Sequence, residues 1–255
     1  MMNSSISILL IVYALFLVAM LSSYFYFIFF QKEKHKRDRE LGERGESFMV
    51  NRTTREWWLW ITAPLEEFFI RKKISPNMIS LYGLIFAFGS CMAYGFGLFV
   101  LGGWCVLLGG TMDIFDGRVA RRTGQVSATG DFWDANLDRM GEALMYLGLL
   151  NYYANQLFFY VVFVAFFSAM MISYSKARAG QLGLKMTVGV MQRAERIVWI
   201  GVPSAISPLF ASLANYWLPI SKTWLASVGI AVVALLGMYT YYERYSFIHK
   251  HLEKK

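Results

Sequence analysis

Long apolar runs separated by short charged clusters leave this chain few ways to fold. The first run covers residues 5–30, and six more follow at about 78–95, 98–119, 131–151, 155–178, 194–214 and 223–245. Each matches the roughly 20 residues an α-helix needs to cross a hydrocarbon layer about 30 Å thick. Only 16% of the residues are charged, against 56% hydrophobic, and the mean hydropathy is +0.41. A soluble domain carries roughly 25% charged residues, so this chain has too little charge to cover a water-exposed surface. The expected class is an all-α integral membrane protein.

The placement of charge sets the topology and removes one class of partner. Connections near 96, 153 and 216–221 hold almost no charge beyond Lys222, whereas the opposite set holds Arg71, Lys72 and Lys73, then Arg118, Arg121 and Arg122, then Lys176, Arg178, Lys185, Arg193 and Arg196, then the basic end of the chain. Cationic loops stay on the cytoplasmic side, so the charged face is expected to look into the cytoplasm; the expected location is a bacterial inner membrane. The net charge of +8 is therefore accounted for by loops that meet anionic lipid headgroups, and no nucleic-acid partner is expected. Cys91 and Cys105 lie in apolar runs without CxxC spacing, and His35, His249 and His251 lie in polar tails. Zinc sites, disulfides and histidine catalysis are not indicated.

The chain divides accordingly into an N-terminal transmembrane anchor (1–31), a charged cytoplasmic linker (32–54), an amphipathic segment (55–74), a six-span core (75–247) and a basic cytoplasmic tail (248–255). The first run lacks the basic start and small-residue cleavage site of a signal peptide. In the amphipathic segment, aromatics and charges fall on different faces and Pro64 is expected to interrupt the helix. Glu66, Glu67 and Arg71 are costly inside lipid, which favours a helix lying in the interface; an ordinary core helix is the competing reading. No internal repeat and no soluble second domain are apparent.

The chemistry concentrates in DIFDGRVARRTGQVSATGDFWDANLD, residues 113–138. Asp113 and Asp116 are three apart at the end of one span, and Asp134 and Asp138 are four apart at the start of the next. Those spacings put each pair on one helix face, and the short loop predicts antiparallel neighbouring helices. Four converging carboxylates repel one another unless a cation intervenes, and an all-oxygen donor set favours Mg²⁺ or Mn²⁺ over zinc. Gly117 and Ala120 remove bulk near the backbone, Gly130 relieves crowding where the second helix begins, and Arg121 presents a fork of donors suited to phosphate. The opposing reading is that the acids form helix-end salt bridges with Arg118, Arg121, Arg122 and Arg139.

This stretch resembles the signature of the CDP-alcohol phosphotransferase family, D-x2-D-G-x2-A-R-x8-G-x3-D-x3-D. Asp113, Asp116, Gly117, Ala120, Arg121, Gly130, Asp134 and Asp138 fill its fixed positions. With each met by chance about once in twenty, coincidence is implausible. The resemblance covers about residues 70–250, outside the first anchor and the linker, and implies a six-helix transmembrane core. It further implies a donor such as CDP-diacylglycerol, whose pyrophosphate binds two Mg²⁺ or Mn²⁺ ions, and an alcohol that attacks the lipid-bound phosphorus while CMP leaves. In the family the first three acids are metal ligands, matched by Asp113, Asp116 and Asp134. The fourth, matched by Asp138, is ligand and proton acceptor. Pro76, Asn77, Gly117, Arg121 and Ser127 match donor-contacting positions, although Ser127 reads equally well as an ordinary loop serine. The family often forms homodimers.

The acceptor is addressed by a second, basic set. SYSKARAGQLG at 173–183, MQRAER at 191–196 and ERY at 243–245 end or begin spans on the charged side. Snorkelling to headgroups would explain such residues. The sharper reading is a pocket for an acceptor that carries a phosphate, formed by Ser173, Lys176, Arg178, Arg193, Arg196 and Arg244. These segments are similar to those of bacterial phosphatidylinositol-phosphate synthases, with Gly180 and Glu243 departing from that pattern. A phosphatidylglycerophosphate synthase is the alternative within the family. A cation-coupled transporter fits less well, because transporter sites lie at the bilayer midplane between broken helices, and a scaffold leaves the acids unexplained.

Overall fold

The computed structural model describes residues 4–31, 52–186, 188–214 and 221–253. These residues form eight α-helices: α1 (Ser4–Tyr26), continued by a π-helical turn (Phe27–Gln31), α2 (Arg52–Arg71), α3 (Pro76–Gly95), α4 (Phe99–Thr123), α5 (Ala128–Tyr152), α6 (Phe158–Gln181), α7 (Arg193–Ala214) and α8 (Trp224–Leu252). No strand occurs among the described residues. Most of the linker expected at 32–54, the connection near 216–220 and the last two residues of the tail lie outside them.

Five stretches are long and apolar enough to cross a membrane: Ile11–Gln31, Pro76–Gly95, Phe99–Thr123, Phe158–Gln181 and Trp224–Leu252. At 1.5 Å per residue each spans about 30 Å or more. The protein is an integral membrane protein. Helices α5 and α7 are of comparable length but fall below that apolarity. α5 carries Asp134, Asp138, Arg139 and Glu142, and α7 opens on a charged turn holding Arg193, Glu195 and Arg196. α8 stays helical through Leu252 and so carries the first residues of the basic tail.

The chain forms two compact units, Met1–Leu65 and Glu66–Lys255, with the division inside α2. In the first, Trp57 Nε1 donates to Ser23 Oγ at 3.2 Å and the Tyr24 and Trp57 rings meet edge-on at 5.2 Å. α2 runs unbroken through Pro64, contrary to the expected interruption. Proline removes one backbone donor and crowds the preceding turn, and here the helix tolerates that loss.

In the second unit, α3 packs against both α4 and α5, α4 against α7, and α8 against α6 and α7. α4 and α5 touch each other at few points. The short loop therefore joins helices that pack mainly on α3 rather than directly on each other, a correction to the expected close neighbours. Small residues allow the close approaches that membrane helices need. A Cβ on Gly103 of α4 would come within 2.6 Å of Gly201 O and Ala205 N on α7, and a Cβ on Gly148 of α5 would overlap the Cys91 backbone of α3.

Candidate metal and phosphate site

Local sequence chemistry brings two helix starts and one helix end to the same place. α3 begins with Ser75 as N-cap, its Oγ accepting from Met78 N at 3.4 Å, and Pro76 in the first turn, where its missing N–H costs nothing. α5 begins with Ser127, whose Oγ accepts from Gly130 N at 3.1 Å. Ser127 is thus a helix cap. α4 ends at Gly124, whose φ of 69° supplies the left-handed turn. A Cβ on Gly130 would lie 3.1 Å from Ser127 Oγ and 3.9 Å from Asn77 Oδ1, so glycine there lets the two helix starts converge. Ser75, Asn77, Met78 and Leu81 face Thr129, Phe132 and Trp133 across an open groove.

On the inner side of these starts the acids meet. Carboxylate oxygens of Asp113, Asp116 and Asp134 lie within 4.8 Å of one another. Asp116 is buried; its Oδ2 accepts from Ser80 Oγ at 2.6 Å and its Oδ1 from Gly117 N at 2.6 Å. Three carboxylates at this separation repel one another unless positive charge is present, and their hard oxygens suit a divalent cation such as Mg²⁺ or Mn²⁺. Asp138, one turn after Asp134, is engaged differently: Arg193 Nη1 lies 2.5 Å from its Oδ2 and 2.6 Å from Asp113 Oδ1. The four acids and Arg193 line a cavity of about 60 Å³ between α3, α4, α5 and α7, with Ser80, Glu142 and several small residues in its wall.

Two arginines of the opposing salt-bridge reading pair with glutamates of α2. Arg118 Nε donates to Glu66 Oε2 at 2.8 Å, while Arg122 reaches Glu66 Oε1 at 2.9 Å and Glu67 Oε1 at 2.7 Å. Arg118 and Arg122 are thus engaged by Glu66 and Glu67 of α2. Glu67 is exposed, and the hydrogen bond and charge of Arg122 hold its carboxyl below the usual range. Arg139 donates to Ala135 O on its own helix. Arg121 folds its guanidinium against Gly117, where a Cβ would stand 3.2 Å from Nη1.

The basic set divides. Arg196 is 1% exposed, its Nε donating to Glu142 Oε1 at 2.7 Å and its Nη1 to Met191 O at 3.1 Å. Arg244, also buried, donates to Val188 O at 3.1 Å and Ile172 O at 2.7 Å. Both therefore grip main chain near 188–191, a segment also held by Thr240 Oγ1 accepting from Met191 N at 2.9 Å. Lys176 and Arg178 are exposed at the end of α6, where Arg178 bonds Gln181, and Ser173 is half-buried. Of the six expected acceptor residues, Arg193 alone lines the acid cavity.

Ser80, Glu66 and Glu142 escaped the sequence reading. Glu142 was the most accessible of them, because Asp134, Asp138 and Glu142 repeat every four residues on one face. Ser80 is likewise one turn beyond Pro76, but a lone serine in an apolar run gives no signal by itself.

Fold and acid cluster together define an integral membrane protein with a candidate metal site, and comparison with known proteins specifies it: the CDP-alcohol phosphatidyltransferase model matches residues 73–239. The chain belongs to this family. It is similar to the archaetidylinositol phosphate synthase of Methanothermobacter thermautotrophicus, with 31% identity over 72% of this chain and 87% of the relative. It is also similar to the phosphatidylinositol phosphate synthase of Streptomyces avermitilis, with 30% identity over 75% and 82%. The crystal structure of Mycobacterium tuberculosis phosphatidylinositol phosphate synthase with CDP-DAG bound shares the fold, with a TM-score of 0.61 and 23% identity over 73% of this chain and 92% of that one. The same enzyme has been solved with manganese and citrate.

Proposed function

We propose that this protein transfers a phosphatidyl group, or its archaeal-type lipid counterpart, from a CDP-activated lipid to inositol phosphate or a related phosphorylated polyol, releasing CMP. The observation that carries this reading is the convergence of Asp113, Asp116 and Asp134 within 4.8 Å at positions that fill a family signature. The names of the relatives, archaetidylinositol phosphate synthase and phosphatidylinositol phosphate synthase, support the acceptor.

In this reading Asp113, Asp116, Asp134 and Asp138 hold two Mg²⁺ or Mn²⁺ ions. When bound, such ions offset charge on the transferring phosphoryl group and its leaving nucleotide. The chain's own residues do the rest. Pro76, Asn77, Gly117, Arg121 and Ser127 line the approach of the donor, and Asn77 faces the open groove with Phe132 and Trp133. Asp138 takes the proton of the attacking hydroxyl, a carboxylate next to the reacting centre. Arg193 meets the acceptor's phosphate, while Arg196 and Arg244 fix the segment from which Arg193 projects. Ser173, Lys176 and Arg178 form the outer, solvent-facing side of the acceptor path. The core crosses the membrane six times, α5 and α7 included, with α1 as an extra span and α2 in the interface, the site facing the cytoplasm and the chain paired as a homodimer.

The test is CMP release by purified protein supplied with CDP-diacylglycerol and Mg²⁺, compared across inositol phosphate, glycerol phosphate and non-phosphorylated inositol. Turnover with inositol phosphate and little with the others is expected. Release with glycerol phosphate alone would transfer the protein to the phosphatidylglycerophosphate branch, and no release with any acceptor would end the enzyme reading.

A further inference from the structure

Two arginines of the same helix turn treat their acidic partners in opposite ways. Arg196 is fixed: two of its nitrogens have separate acceptors, and only 1% of it is exposed. Arg193 places a single nitrogen, Nη1, between Asp113 Oδ1 at 2.6 Å and Asp138 Oδ2 at 2.5 Å. Its Nε is buried with no hydrogen-bond partner, so the rigid fork that makes an arginine–carboxylate pair strong is not used. Its side chain remains 27% exposed, which leaves room to move. Arg193 also begins α7 and follows the 188–191 segment, so a change in its rotamer disturbs no helix interior.

The oxygens that Arg193 grips are those that the metal reading requires. Asp113 is one of the three converging acids, and Asp138 is the expected proton acceptor. One guanidinium and a divalent ion cannot occupy the same pair of oxygens. We propose that Arg193 is a resident counter-ion of the acid cluster, which a divalent metal displaces, and that the released guanidinium then binds an anionic oxygen of the phosphorylated substrate. The exchange keeps positive charge beside Asp113 and Asp138 throughout, because positive charge enters as positive charge leaves. It also makes metal and phosphate mutually dependent: metal frees the arginine that phosphate needs, and phosphate holds the arginine away from the oxygens that metal needs. Coupling of this kind is reciprocal. This inference rests on the metal site proposed above.

The experiment titrates full-length protein in detergent with Mn²⁺, read by loss of the free-ion electron paramagnetic resonance signal, with and without inorganic phosphate. In the wild type, saturating phosphate tightens Mn²⁺ binding by about 5-fold or more, and Mn²⁺ tightens phosphate binding by the same factor. Arg193→Gln binds Mn²⁺ about 5-fold or more tightly without phosphate and loses the coupling. Should that variant fail to fold, Arg193→Lys replaces it, since an ammonium engages one carboxylate where the guanidinium engages both; its Mn²⁺ binding is also tighter than wild type. A static strut gives the opposite result, and unchanged or weaker Mn²⁺ binding in a folded variant, or no phosphate coupling in the wild type, overturns the proposal. Wild-type protein that takes up no Mn²⁺ at all, even with CMP present, instead removes the metal site itself.

Discussion

The acidic cluster on α4 and α5 and the buried arginines of α7 and α8 differ in how their charges are engaged. Asp113, Asp116 and Asp134 have oxygens within 4.8 Å of one another, a cluster that repels itself unless a cation joins it. Arg196 and Arg244 instead have their donors filled by Glu142 and by the carbonyls of Met191, Val188 and Ile172. A charge already matched inside the protein builds structure, whereas an excess of like charge awaits a ligand. Both sets look equally functional as strings of letters; partner geometry separates them.

Substitutions sharpen that contrast, beginning with the largest effect. Asp138→Asn should lower turnover by about 10²- to 10⁴-fold, the range for loss of a general base, while CDP-lipid binding largely survives. Complete loss of metal-dependent donor binding would make Asp138 an essential ligand instead. Among the buried arginines, Arg196→Ala leaves Glu142 buried and unpaired, which costs about 3–5 kcal/mol and should appear as a large drop in thermal stability in detergent. A normal melting temperature with a raised KM for the acceptor would return Arg196 to the substrate pocket. Arg244→Ala removes two charged donors from main-chain carbonyls, at about 2 kcal/mol, and loosens the segment before Arg193. It should lower stability and raise the KM for a phosphorylated acceptor together, and an unchanged KM would detach Arg244 from acceptor binding.

The smallest effect belongs to the exposed rim. Glu67 has its carboxyl held down by Arg122, so its folded pKa is lower than its unfolded one. The stability it contributes is present above the unfolded value, roughly 4, and disappears as pH falls through the folded value. The melting-temperature difference between wild type and Glu67→Gln should therefore be slight at pH 7, shrink with added salt and close in acid. A difference that persists at low pH would assign the effect to packing.

Much of the site could be read from spacing. Intervals of three and four residues put Asp113 with Asp116 and Asp134 with Asp138, and the glycines and Arg121 completed a recognisable signature. Spacing along one helix says nothing about which residues on other helices come opposite. For that reason Arg118 and Arg122 looked like partners for the acids until Glu66 and Glu67 were found to hold them, and Ser80 was invisible until it met Asp116. Arg193 reads as an acceptor residue because it is basic and near a membrane end, and only the folded chain sets it against Asp113 and Asp138. Pro64 misled in the other direction, since a helix can lose one backbone bond and continue.

By itself the sequence determined that the chain is helical and membrane-embedded, and it singled out four carboxylates as candidates, because hydropathy and helical periodicity are properties of neighbours along the chain. The tertiary structure alone decided which charges cancel each other and which remain for a ligand. That outcome depends on side chains 36 to 80 positions apart, from Ser80 with Asp116 to Arg193 with Asp113, meeting at distances where a few ångströms separate an ion pair from no interaction.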